Sequence, residues 1–154
     1  MALGFKKILA PTDFSKPSAD ALVVALDIAV PGALVIVCHV VDDLPLTYGY
    51  VGLAAPTPEI RSRMGLEAER ELEKFLPAVS RKDITLERRV VHGTPFLEIV
   101  RLAREEGVDL IVMGTHGRTG LQQILIGSVA EKVVRKAPCP VLVVREKGSG
   151  YRHA

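Results

Sequence analysis

The chain has 154 residues, 48% hydrophobic and 25% charged, with a formal net charge of +2. That is the composition of a globular protein large enough to bury roughly two-thirds of the surface its unfolded chain exposes. Charges of both signs are interspersed, which excludes a broad basic face for nucleic acid, and no apolar run approaches the roughly 18 residues of a membrane span.

A single domain over residues 1–147 is expected, followed by a flexible tail at 148–154. The N-terminal Met-Ala-Leu-Gly-Phe-Lys-Lys passes almost directly into a strand, without the long apolar region of a signal peptide. Cys38 and Cys139 show no metal-ligand spacing and read as reduced thiols of a cytoplasmic protein.

In chain order, Phe5–Ala10 is a short strand stopped by Pro11-Thr12-Asp13-Phe14-Ser15. Ser15 suits a helix N-cap and Pro17 the first turn. Ala19, Leu22, Val23, Leu26 and Ala29 recur at helical spacing, predicting a helix over 16–30 that Pro31-Gly32 ends. Ala33–Val41 is a continuous β-branched run without polar alternation, so both its faces should be covered. Residues 42–58 hold three prolines and two glycines and read as a long, lid-like loop. A helix follows over Glu59–Val79, its outer face alternating acids and bases.

Ile84–Val91 alternates apolar and charged residues, as an edge strand does. His92-Gly93 makes a turn, Thr94 an N-cap, and Pro95 opens a helix that Gly107 closes. Asp109–Met113 is the next strand. It runs into Met113–Val129, a stretch with four glycines, a His, an Arg and no acid. A helix over Ser128–Lys136 and a last strand over Val141–Arg145 complete the chain. Five strands alternating with four helices predict a doubly wound α/β domain with a parallel sheet. Such folds bind ligands beyond the carboxyl ends of the strands, where the strand order reverses.

A strand that opens into a glycine-rich, cation-bearing loop and ends at a helix N-terminus suits phosphate. The loop is neither a Walker A sequence nor G-x-G-x-x-G. Its spacing is Gly114-x-x-Gly117, then nine residues, then Gly127-Ser128. Together with K-K-I-L-A-P-T-D-F-S near the start, H-G-T-P at residue 92 and P-C-P-V-L-V-V near the end, this resembles the ATP-binding members of the universal stress protein family, over nearly the whole chain.

The resemblance implies a five-stranded sheet of order 3-2-1-4-5 with helices on both faces, the adenine nucleotide alpha hydrolase-like arrangement. By position it implies that Pro11, Thr12 and Asp13 line the adenosine, that Val41 offers backbone groups to the adenine edge, and that Met113 and Gly114 contact the adenosine from the fourth strand. Gly117, Gly127, Ser128 and Val129 would hold phosphates. Physical reasons stand beside it. Glycines at 114 and 117 let the backbone approach a phosphate, and a helix beginning at Gly127-Ser128 favours anions. His116 and Arg118 can neutralise phosphate charge. Asp13 suits ribose hydroxyls, or a Mg²⁺ or Mn²⁺ ion shared with the phosphates.

Each feature also has a plainer reading: a glycine turn with a helix cap and no ligand, Asp13 as a second cap beside Ser15, His116 and Arg118 in solvent, His39 as a satisfied core histidine and His92 as a turn residue. The uniformly apolar last strand, Val141–Val144, is an edge that invites a second chain, and the resemblance likewise implies a homodimer through it. The expected function is a nucleotide-dependent sensor or regulator in the stress response, binding ATP, AMP or ADP. With no paired carboxylates and no nucleophile–base pair, no catalytic residue is assigned and any hydrolysis should be slow. A module for AMP or cyclic AMP, and a genuine ATP hydrolase or phosphotransferase, remain as alternatives. A phosphoacceptor receiver domain, which needs an Asp after strand 3 and a Lys after strand 5, is rejected because strand 3 ends at Val91-His92-Gly93 and strand 5 is preceded by Pro-Cys-Pro.

Overall fold

The computed structural model describes residues 4–43, 55–77, 81–115 and 126–145. The apolar runs form the strands β1 (Phe5–Pro11), β2 (Ala29–Val41), β3 (Thr85–His92), β4 (Leu110–Gly114) and β5 (Val141–Val144). Between them lie the helices α1 (Lys16–Ile28), α2 (Pro58–Phe75), α3 (Pro95–Glu106) and α4 (Ser128–Lys136). The strands make one all-parallel sheet in the order β3-β2-β1-β4-β5. This is the doubly wound arrangement expected from the sequence.

The two-residue period of the strands divides the core between the sheet's faces. Ile8, Ala10, Val35, Val37, Leu110 and Val112 pack under α1 and against Leu72 of α2. The alternate residues Leu9, Ile36, Cys38, Ile111 and Met113 pack under α3 and α4. Strands covered on both sides need no polar alternation, which is why β4 is apolar throughout and β2 is apolar but for His39. Burial of each large side chain contributes about 1.5–3 kcal/mol. β3, at the sheet edge, carries its charges outward. None of the described helices is long and apolar enough to cross a membrane.

The boundaries of α1, β2 and α2 differ most from the sequence reading. α1 stops at Ile28, and Pro31-Gly32 lies within β2. Between the pairs Phe5↔Ala29 and Lys7↔Leu34, β2 holds three residues more than β1, and this bulge absorbs Gly32 at φ +81°. The end of α1 is instead closed by Arg81, whose guanidinium donates to the carbonyls of Leu26 and Ala29 at 2.8 and 2.9 Å. α2 begins one residue earlier than expected, with Thr57 as its N-cap, and ends at Phe75 rather than Val79.

β1 and β4 meet through only two register pairs, Ile8↔Leu110 and Leu9↔Ile111. Below these pairs, the Asp109 carboxylate accepts the N–H groups of Lys6 and Lys7 at 2.9 and 3.2 Å, and the Asp109 N–H donates to the Lys7 carbonyl at 2.9 Å. β1 runs on to Pro11 and β4 to Gly114 without further pairing to each other. This is where the strand order reverses, and the unpaired ends flank a crevice.

Candidate functional site

One wall of the crevice is the turn that leaves β1. The Thr12 N–H continues the sheet by donating to the Cys38 carbonyl at 2.8 Å. The Thr12 carbonyl lies 2.8 Å from His39 Nδ1, and since a carbonyl only accepts, that nitrogen carries the proton. Buried Thr12 shares a hydroxyl–hydroxyl bond of 2.8 Å with buried Ser18, and its Oγ1 accepts the Phe14 N–H at 3.0 Å. Asp13 Oδ1 accepts the Ser15 N–H at 3.0 Å, an Asx turn. Ser15 caps α1 by accepting the Ser18 N–H at 3.4 Å. Phe14 has φ +66°, a left-handed backbone that costs a side-chain-bearing residue about 1–2 kcal/mol. Its ring stacks on His39 at 4.3 Å and meets Phe75 edge-on at 5.8 Å.

The opposite wall is the end of β4 and the start of α4. The Met113 side chain is buried in the α3/α4 core, so what it presents to the crevice is backbone. Gly114 has a packing reason: a Cβ there would lie 2.9 Å from the Pro17 carbonyl carbon, because the first turn of α1 passes directly against it. Buried Thr115 joins three elements. Its N–H donates to the Val144 carbonyl at 3.0 Å, and its own carbonyl accepts the Gly127 N–H at 2.6 Å.

Gly127 is the N-cap of α4, with φ −70° and ψ 159°, and as a glycine it makes no side-chain cap bond. The first intrahelical bond runs from the Glu131 N–H to the Gly127 carbonyl at 3.0 Å. The N–H groups of Ser128, Val129 and Ala130 therefore precede the helix ladder, at its positive end. Ser128 is exposed, while Val129 packs on the α3/α4 core. His116, Gly117 and Arg118 lie outside the described residues.

The fold thus sets Pro11, Thr12 and Asp13 after β1, and Met113, Gly114, Gly127, Ser128 and Val129 along β4 and the start of α4, at the carboxyl end of the β1/β4 seam. Val41, one strand further along, is buried, and its carbonyl already accepts the Gly93 N–H at 3.0 Å. Beyond it, Asp43 joins three elements: Oδ1 lies 2.8 Å from His92 Nδ1 and Oδ2 lies 2.7 Å from the Arg61 guanidinium. His92 is therefore the end of β3 held by an acid, rather than only a turn residue. A cavity of about 350 Å³ lined by Pro56, Pro58, Arg61, Ser62 and His92 opens beside it. Another of about 340 Å³ lies between Phe14, Ser15, Glu71, Lys74 and Phe75. Both cavities are lined in part by α2, and neither is lined by Pro11, Thr12, Asp13, Gly114 or Gly127.

Burial pushes the Cys38 thiol, beneath the β1 turn, up to about 12. Cys139 is raised too, first by burial and then by the Asp109 charge, against a lowering bond from the Ile111 backbone. Among the described residues no three His, Cys, Asp or Glu side chains gather as a metal site. The sequence reading missed Phe14, Ser18 and Thr115. It placed His39 as a satisfied histidine, and the Thr12 carbonyl is its partner. The available signal was the non-glycine residue in Thr12-Asp13-Phe14-Ser15, where the chain turns sharply from strand to helix.

The model of the Universal stress protein family matches residues 4–145. The chain belongs to the universal stress protein family. It is 36% identical to universal stress protein MJ0577 of Methanocaldococcus jannaschii, over 97% of this chain and all of that one. It is 34% identical to universal stress protein YxiE of Bacillus subtilis, over 92% and 99% of the two chains. The solved structure of MJ0577, the subject of a structure-based assignment of biochemical function, superposes with a TM-score of 0.79 at 35% identity, covering 95% of this chain and 99% of that one. A universal stress protein solved in complex with cAMP superposes with a TM-score of 0.58 at 25% identity, covering 93% and 98%.

Proposed function

We propose that this universal stress protein binds ATP in the β1/β4 crevice and acts as a nucleotide-dependent regulator in the stress response, with at most slow hydrolysis. The observation that carries the reading is the start of α4. Its N-cap is a glycine, which brings no side-chain oxygen of its own to the first N–H groups, and Gly127 is tied back through Thr115 to the strand that borders the Pro11–Asp13 turn. The φ of Gly127 suits any residue, so a need for glycine there arises from what approaches it and not from backbone geometry.

The residues fit a nucleotide. Pro11, Thr12 and Asp13 face the adenosine, joined by the backbone of Met113, Gly114 and Val41. The α4 start, through Gly127, Ser128 and the Val129 N–H, receives phosphate, with Gly117, His116 and Arg118 completing the grip. The Val41 carbonyl is partly engaged by Gly93, so its N–H or its second lone pair meets the base. A Mg²⁺ or Mn²⁺ ion would rest on Asp13 together with phosphate oxygens, since the described residues hold no three-ligand cluster of their own.

Residues 1–147 act in this reading as one nucleotide-binding domain of a cytoplasmic protein, with 148–154 as its tail. β5, a four-residue apolar edge strand with Leu142 exposed, pairs with its copy in a homodimer. A second reading, recognition of AMP or cyclic AMP, is favoured by the structural neighbour solved with cAMP. Calorimetric titration with ATP, AMP and cyclic AMP, with mass spectrometry of nucleotide released on denaturation, separates them. ATP is expected to bind best. Gly127→Val should weaken it at least about a hundredfold, a loss near 2.7 kcal/mol, while circular dichroism and Tm stay unchanged. Unaltered ATP binding in Gly127→Val would overturn the phosphate assignment.

A further inference from the structure

The Thr12-Asp13-Phe14 turn is held on both sides of Asp13. On one side, the N–H, carbonyl and hydroxyl of Thr12 are bonded to Cys38, His39 and Ser18. On the other side, the Phe14 N–H is bonded back to Thr12 Oγ1, and the Phe14 backbone sits at φ +66°. A side-chain-bearing residue keeps that conformation only where its surroundings dictate it, and such positions cluster at functional sites. His39 supplies both restraints. Its Nδ1 holds the Thr12 carbonyl, and the face of its ring stacks on Phe14 at 4.3 Å. One residue of β2 thus grips both neighbours of Asp13.

We infer that Phe14 and His39 are positioning residues for Asp13, fixing its carboxylate at the mouth of the crevice where the ribose hydroxyls or the metal of a bound nucleotide meet it. The inference rests on the nucleotide-binding reading above and extends it to two residues that touch no nucleotide. The carboxylate is already aimed, with Oδ1 on the Ser15 N–H. Phe75 at the end of α2 backs Phe14 edge-on at 5.8 Å, so the setting of α2 reaches Asp13 through a single aromatic contact. A merely structural Phe14 and His39 would fill the core beneath α1 and α2, and their loss would lower stability without regard to Asp13.

The deciding experiment is a double-mutant cycle on the full chain, read as Kd for MgATP by calorimetry, with Tm measured for every variant. Phe14→Ala and His39→Leu should each weaken ATP about tenfold. His39→Gln, whose amide can still donate to the Thr12 carbonyl, should return to within about threefold of the parent. In the Asp13→Ala background, Phe14→Ala should change Kd by less than about twofold, because coupled residues lose their separate effects. Phe14→Leu, which keeps the apolar volume, serves where Phe14→Ala does not fold, with the same expected pattern. Equal fold losses from Phe14→Ala in the parent and in Asp13→Ala overturn the inference, as does parent-like affinity in Phe14→Ala and His39→Leu. No nucleotide binding by the parent strikes the function reading first, and the inference with it. Binding by the parent with additive losses strikes the inference alone.

Discussion

At the β1/β4 end of the sheet the chain presents backbone N–H groups, small residues and hydroxyls. At the β2/β3 end it presents full charges that pair with one another. Asp43 joins His92 and Arg61 there, a set of interactions that closes on itself and leaves the local electrostatics balanced. At the crevice, the N-cap of α4 is a glycine that makes no side-chain bond, and the surrounding bonds serve to hold a shape. Both ends sit at carboxyl ends of strands in the same parallel sheet, so position in the fold alone does not make a site. What distinguishes them is whether the polar groups are spent on each other or on geometry.

Substitutions at the two ends should therefore differ in kind. Gly114→Ala should do most, because its Cβ would come within 2.9 Å of backbone in the first turn of α1, which cannot swing aside as a side chain can. The expected loss is about 3 kcal/mol, read as a fall in Tm of about 6–12 °C, with ATP binding weakened as α1 is pushed off β4. An unchanged Tm would show that α1 and β4 are not locked together.

Cys38, on the floor below the crevice, gives a pH signature. Burial raises the folded thiol from its ordinary 9.0 to about 12. Below pH 9 both folded and unfolded thiols are neutral and the contribution is whole. Above it the unfolded thiol ionises while the folded one does not, so stability falls as pH rises toward 12. Denaturant melts at pH 9 and 11 should show a loss about 2 kcal/mol larger in the parent than in Cys38→Val. Parallel losses in the two proteins would place the alkaline sensitivity elsewhere.

The charged end should respond more weakly and without touching ligand. Asp43→Ala removes the partner of His92 and Arg61 and should cost about 1–2 kcal/mol in urea melts, with ATP affinity within about threefold. A tenfold loss of affinity would erase the distinction between the two ends. Arg61→Ala should cost least, under about 1 kcal/mol, since its side chain is 49% exposed.

The strands were legible because β-branched runs report burial on both faces, and the starts of α1 and α3 because Ser15 and Thr94 stand at N-caps just before a proline-bearing first turn. Thr94 occupies its cap without making a side-chain bond, which residue type alone does not reveal. Pro31-Gly32 misled because a helix stop and a strand bulge use the same residues, and the true closure of α1 comes from Arg81, distant in sequence. The glycines of the Met113–Val129 stretch marked the candidate site, but the reason for Gly114 is a helix that packs against it. The His39–Thr12 bond and the Asp43 cluster link residues 27 and 49 positions apart, and no local pattern encodes such pairs.

The sparse seam between β1 and β4 also bears on how the molecule comes into being. Its bonds join residues 102 and 103 positions apart, so the chain must close a very long loop before the crevice exists. Contacts of that separation are the slow ones in folding. A chain with only its first half ordered has the Asp13 turn but no opposing wall. A ligand that needs both walls stabilises only the finished molecule. Ligand concentration then sets how much of the chain stays folded, and with it how long the protein survives proteolysis.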